Sequence, residues 1–164
     1  MYKHIIKPIL FLLTPDFTHK LIIFCGRVVQ ALPPVRWAVR RSWSFQDNSL
    51  QQEVGGITFC NPIGLSAGFD KNVQLLPLME DVGFGFASGG SVTLEQRQGN
   101  RRPWFHRLPK TKSVVVFAGM PNKGLRKIRH YIERNTHRAN STVGVVSVAV
   151  IANKTTIEQA SGRP

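Results

Sequence analysis

The stretch NPIGLSAGFDKN (61–72) sets a cation, Lys71, just behind the small step Ala67-Gly68. The apolar run before the step reads as a buried strand, and the residues after it open a helical pattern. In folds that alternate strands and helices, ligands gather at the carboxyl ends of strands. There Ala67 and Gly68 would let a flat ring or a phosphate approach the backbone, and Lys71 would offer a positive charge and hydrogen bonds to an anion. The competing reading is a lysine that only solvates a turn. A second group follows the next apolar run, where Ser91 and Thr93 come after Gly89-Gly90. Their hydroxyls make a polar rim for a ligand, or equally bond to their own turn.

Other chemistries lack their residues. The five histidines, His4, His19, His106, His130 and His137, form neither HxH nor HExxH. His19 falls on an N-terminal helix that reads as lipid-facing, with an ordinary surface histidine as the plainer alternative. Cys25 and Cys60 stand in apolar settings and read as buried, reduced thiols, with no Cys/His cluster for a metal. Neither GxGxxG nor GxxxxGK[ST] occurs.

Elements able to position Lys71 and Ser91 follow from periodicity. Apolar runs at 63–68, 85–93, 113–120 and 142–152 read as four strands of a parallel sheet. Patterns at 73–83 and 122–135 read as helices between them, the first weakened by Pro77, the second with Leu125, Ile128 and Ile132 on one face. The segment 94–112 carries Gly99, Pro103 and Pro109 and reads as a long non-helical excursion from a strand end. Together these give the texture of a βα barrel or a doubly wound sheet.

Ahead of them, residues 1–43 read as a small helical domain, and 44–56 as a polar linker into a domain over 57–164. Ile5, Ile6, Ile9, Leu12 and Leu13 recur at helical spacing. Thr14-Pro15-Asp16 then announces a second helix, which stops at Pro33-Pro34. Lys7, Lys20 and Arg27 interrupt both helices, and neither has the roughly 20 apolar residues that span a bilayer. The apolar run also lacks the small-residue cleavage signal of a secretory leader. Of 22 Lys and Arg against 9 Asp and Glu, seven basic residues fall in 1–43 and twelve in 95–138. That surplus calls for an anionic partner. An interfacial helix pair on anionic lipid fits it, with Trp37 and Trp43 beside Arg36, Arg40 and Arg41 suited to a headgroup layer. The alternative for the helices is a hairpin packed on its own protein. A basic RNA-binding module is a further rival, since Arg101, Arg102, Trp104, Phe105, His106 and Arg107 interleave charge with aromatics. No nucleic-acid motif frames them, and none is the expected partner.

The order of the pieces resembles the N-terminal half of class 2, membrane-associated dihydroorotate dehydrogenases. The resemblance rests on TPDFTHKL after the first helix, on GITFCNPIGLSAGFDKN, and on VGFGFASGGSVTLEQRQGNRRPWFHRLPKTKS. It implies the first half, about four strands, of a (β/α)8 TIM barrel behind a helical membrane-associating domain. It further implies FMN at the strand ends, oxidation of dihydroorotate to orotate in pyrimidine synthesis, and reoxidation by ubiquinone or menaquinone between the N-terminal helices. The expected location is peripheral, on the cytoplasmic side of the cell membrane. By motif, Ala67, Gly68, Phe69, Asp70 and Lys71 form the flavin-binding turn, Lys71 also touches substrate, Ser91 binds FMN, and His19 lies at the quinone entrance.

Three departures accompany the resemblance. Val116 or Phe117 stands where the family carries a substrate-contacting asparagine. Ala149 replaces a flavin-contacting asparagine, and Ile151 a glycine. The serine base of the family is expected beyond residue 164. The chain is therefore expected to be truncated, to retain FMN less than stoichiometrically and not to oxidise dihydroorotate alone. A non-catalytic membrane-associated remnant is the alternative.

Overall fold

A computed structural model describes residues 2–136 and 143–148. A π-helical turn, Tyr2–Ile6, leads into α1 (Lys7–Leu12). Thr14 then caps α2 (Pro15–Ala31): its Oγ1 accepts the Phe17 amide at 3.4 Å, and Pro15 occupies the first turn, where a missing N–H costs nothing. Pro33-Pro34 ends α2 as expected, but also starts a third helix, α3 (Pro33–Trp43), which the sequence reading did not assign. A proline pair breaks the helix before it and is tolerated in the first turn of the next.

The stretch read as a linker contains a 3-10 turn, Asn48–Leu50, and β1 (Gln52–Val54), which pairs antiparallel with β2 (Ile57–Phe59) across Gly55-Gly56. The parallel sheet follows. β3 (Gly64–Leu65) pairs with β4 (Phe86–Val92), which pairs with β7 (Val143–Val148), in the order β3-β4-β7. Between β3 and β4 runs α4 (Leu76–Val82). Its proline, Pro77, lies at the start rather than in the interior, so it does not weaken the helix.

The run 113–120 corrects the expected count of four strands. Only Ser113–Val116 is extended, as β6, and it pairs antiparallel with β5 (Phe105–Leu108) in a separate hairpin. The described parallel sheet thus has three strands. Apolar texture alone cannot tell a sheet-core strand from a hairpin arm, and Val114, Val115 and Val116 are in fact exposed. α5 (Leu125–Thr136) follows, with Ile128 fully buried and Ile132 packed beside it.

Two apolar clusters hold these layers. Leu75, Leu76, Met79 and Ala87 join α4 to β4, with Ile23 of α2 packed against them; Val73, Val92 and Ile128 join the turn before α4 to β4 and α5. Ion pairs fasten the N-terminal helices. Asp81, buried on α4, accepts from Arg36 and Arg40 of α3, the latter at 2.7 Å. These two arginines therefore serve an internal latch, while Trp37 and Trp43 remain 70% exposed. Neither cysteine is in a disulfide, and neither is the buried thiol expected: Cys25 is exposed and Cys60 half-buried.

Candidate functional site

The turn after β3 is built by Asp70. Its carboxylate is buried and accepts the amides of Asn72 (3.3 Å) and Leu75 (2.7 Å), tying the turn to the start of α4. Its carbonyl accepts the Gly90 amide of β4 at 3.3 Å. β4 can lie this close because residue 89 is glycine: a Cβ there would stand 2.5 Å from Val73 Cγ2. Val73 is β-branched and buried yet holds φ at +54°, so backbone strain is stored in this turn.

Strands β3 and β4 are parallel neighbours, so their carboxyl ends share one side of the sheet. There a cavity of about 630 Å3 is lined by Ala67, Gly68, Lys71, Gly90, Ser91 and Val116, among others. Gly68 holds φ at +104° with nothing within 4 Å of where a Cβ would be, so its backbone is open to the cavity. The β4–β7 register shifts between Gly90 and Val92, an irregularity of the kind that re-aims a side chain, here at Ser91. Lys71 Nζ donates to Gly68 O at 2.6 Å and stands 5.0 Å from the centre of the Phe105 ring. Burial pushes Lys71 below its ordinary value; Asp16 works against that shift and Arg102 with it.

A second cavity, of about 390 Å3, lies between α2, the turn after β3 and the segments 96–105 and 121–123, and also has Lys71 and Phe105 in its wall. His19 enters it from α2. The His19 Nε2 donates to Phe69 O at 2.8 Å, which fixes the proton on Nε2, and its ring meets Phe69 edge-on at 5.7 Å. His19 is thus half-buried rather than an ordinary surface side chain. Burial lowers its pKa, the Phe69 carbonyl opposes that shift, and Lys71 adds to it. On the same wall, Asp16 accepts from Arg102 Nη1 (2.6 Å) and from the amides of Trp104 and Phe105.

The expected site residues therefore divide between two cavities. Ala67, Gly68 and Ser91 line the larger one, Phe69, Asp70 and His19 the smaller, and Lys71 both. Val116 reaches the larger cavity, whereas Phe117 is 66% exposed and does not line it. Ala149 and Ile151 lie outside the described residues. The sequence reading missed Asp16, Arg102 and Asn122 as site-builders. Asn122 is buried and accepts the amides of Thr93 and Gly124 while donating to Thr93 Oγ1 at 2.9 Å, so it locks the end of β4 to α5. Its only signal was the Asn-x-Gly spacing of a turn. Two arginines of the basic-aromatic segment are engaged internally: Arg102 stacks on Trp104 at 3.7 Å, and Arg107 donates to Leu13 O and Leu10 O at the end of α1.

Comparison with known proteins bears on the family and the fold. The family model described as dihydroorotate dehydrogenase matches residues 49–161. A curated protein from Corynebacterium diphtheriae named dihydroorotate dehydrogenase (quinone) is 34% identical over 145 residues, covering 88% of this chain and 40% of its own. One of the same name from Deinococcus deserti is 36% identical over 134 residues, 82% of this chain and 37% of its own. The chain thus spans about two-fifths of the length of the curated relatives it matches. Among solved structures, the ligand-free DHODH of Eimeria tenella superposes with a TM-score of 0.68 at 23% identity, covering 92% of this chain and 42% of that one. That likeness shows a shared α/β fold.

Proposed function

Because the chain belongs to the dihydroorotate dehydrogenase family, we propose that it forms the flavin-cradling first part of a quinone-dependent enzyme of that activity, a partial (β/α)8 barrel behind a membrane-associating helical domain. The observation that carries the reading is the convergence at Lys71: one side chain borders both the cavity at the strand ends and the cavity under α2. FMN fits the larger cavity in kind. The open backbone at Gly68 admits a flat ring, Ser91 offers a hydroxyl, and the Lys71 ammonium offers charge to an anionic ring or to the carboxylate of dihydroorotate. When bound, FMN supplies the hydride-accepting and electron-passing chemistry. The side chains of this turn hold and orient the ring and keep water from its buried edge. The smaller cavity, with His19 and Arg102 in its wall, gives ubiquinone or menaquinone a way to the ring edge.

Membrane association is supported by the N-terminal helices. Among the described residues no single helix is long and apolar enough to cross a membrane, and the pair Lys3–Leu12 and Pro15–Ala31 is bent by 115°. Yet Ile9 (56%), Leu12 (86%), Phe17 (52%) and Phe24 (62%) are exposed. A bent pair with bare apolar faces and flanking lysines suits the plane of a lipid interface.

A second reading has one observation in its favour. Val116, one of the two residues that stand for the family's asparagine, presents hydrocarbon to the cavity, which suits a relative that binds membrane without turning over substrate. Titration of the folded chain into FMN tests the leading reading. We expect saturable quenching of flavin fluorescence, about tenfold weaker with Lys71→Met. A folded chain that never quenches would overturn it.

A further inference from the structure

A third cavity, of about 360 Å3, lies between the C-terminal half of α2 and α5. It adjoins the cavity under α2 through Phe24, Arg27 and Gln74 and does not reach Lys71. Its wall holds Arg27 and Arg134 but no aspartate or glutamate. Neither arginine meets a carboxylate among the described residues, whereas Arg36, Arg40, Arg102 and Arg129 each do. A third cation stands close by: Lys123 Nζ donates to the Tyr131 hydroxyl at 2.9 Å, and that contact lowers the Tyr131 pKa.

The floor of the cavity is unfinished. Gln74 is only 6% exposed; its side chain lies near enough to the Tyr131 hydroxyl to help lower that group's pKa, yet its Nε2 makes no hydrogen bond of full geometry. Gln30 donates its own Nε2 to Gln74 O at 2.6 Å and leaves its Oε1 acceptor unpartnered. A buried donor left without a partner is costly, so a ligand that completes it is favoured. An adjacent open donor and open acceptor ask for a group carrying both anionic oxygen and hydroxyl. The rim supplies the other half of an amphiphile's requirements. Phe24, Val28 and Leu32, one helical turn apart, line the cavity and are 62%, 45% and 46% exposed.

We propose that this cavity is a binding site for the phosphate of one anionic, hydroxyl-bearing lipid headgroup, with Arg27 and Arg134 on its charge, Gln74 on a phosphate oxygen, and the Phe24-Val28-Leu32 strip along its chain. The proposal rests on the membrane association argued above and gives that association a defined point of contact. Two arginines that each make charge-assisted hydrogen bonds distinguish such a site from a diffuse basic surface, which counts charge alone.

The test is binding of the full chain to phosphatidylcholine vesicles with and without phosphatidylglycerol. The variants are Arg27→Gln/Arg134→Gln, the charge-matched control Arg126→Gln/Lys127→Gln on the exposed face of α5, and the uncharged change Gln74→Leu. We expect the first pair to weaken binding to phosphatidylglycerol vesicles about thirtyfold and Gln74→Leu about fivefold, with the control changing less than about threefold. Equal losses for the two charge pairs, or no loss for the first, would overturn the site. Inorganic phosphate that raises the melting temperature of the unmodified chain as phosphatidylglycerol does would overturn the lipid as its source. Absence of binding to either kind of vesicle would instead remove the membrane reading beneath it.

Discussion

Asp16 on α2 and Arg102 in the loop before β5, 86 residues apart, meet at 2.6 Å. The same carboxylate takes the amides of Trp104 and Phe105. One side chain thus satisfies three donors, two in the loop and one at the first residue of β5, and fixes α2 over the cavity that holds His19. Asp16→Asn keeps the shape and removes the charge. Breaking a buried pair costs about 3–5 kcal/mol; with the Arg102 side chain 41% exposed, about 2 kcal/mol is expected here. Urea unfolding would measure it, and hydrogen exchange should rise across 15–31 before the rest of the chain.

Asp81 carries a similar duty between α4 and α3. Its side chain is 1% exposed and holds two arginines of α3. Asp81→Ala should cost about 3 kcal/mol, while Arg40→Ala, at a side chain 42% exposed, should cost about 1. Chemical denaturation of the two variants side by side gives the ratio; equal losses would mean that the latch does not hang on Asp81.

The turn of 67–71, β4 and α5 were legible because each writes its own local signal: small residues before a cation, two glycines in an apolar run, Leu125, Ile128 and Ile132 on one face. α3 was not, because a proline pair is at once a stop and a start. The arm at 113–116 was misassigned because valines suit a hairpin and a sheet core alike, and only pairing partners separate the two. His19, Asp16 and Arg102 came together through contacts spanning 50 and 86 residues, which no periodicity records. The arginines of the headgroup reading were real charges with an acid waiting for two of them on α4.

His19 should make stability depend on pH. Its pKa is lowered in the fold from the ordinary 6.5, so near neutrality both states are uncharged and it exerts no effect. As pH falls through 6.5 the unfolded chain takes up a proton that the folded chain resists, and stability is lost down to the lowered folded pKa. Melting temperature should therefore fall between about pH 7 and pH 5 less steeply in His19→Gln than in the unmodified chain. Parallel profiles would show that the ring is not shielded as its contacts require.

Gly89 and Gly68 should respond differently to alanine. At residue 89 the added Cβ meets Val73 Cγ2 at 2.5 Å, so the turn must lift from β4, at about 1–3 kcal/mol and with loss of flavin quenching. At residue 68 nothing blocks the methyl, and only the φ of +104° opposes it, so about 1 kcal/mol is expected. Thermal unfolding read beside flavin titration separates the two: Gly89→Ala should lose both, Gly68→Ala mainly affinity, because its methyl projects into the open cavity.

Val116 offers the sharpest trial of the site itself. It lines the cavity with Lys71 and Ser91 and is 56% exposed, so an amide there meets neither a steric nor a desolvation barrier. Val116→Asn would add a donor and an acceptor to a wall whose charged side chain is Lys71 and whose hydroxyl is Ser91. One hydrogen bond to a charged group is worth about 1.5 kcal/mol, so orotate should bind about tenfold more tightly in the presence of FMN, with stability changed by less than about 0.5 kcal/mol. Calorimetric titration with orotate decides it, and Phe117→Asn serves as the comparison, because residue 117 does not line the cavity and should gain nothing. A gain at 117 and none at 116 would place the missing amide on the wrong residue and the substrate outside this cavity.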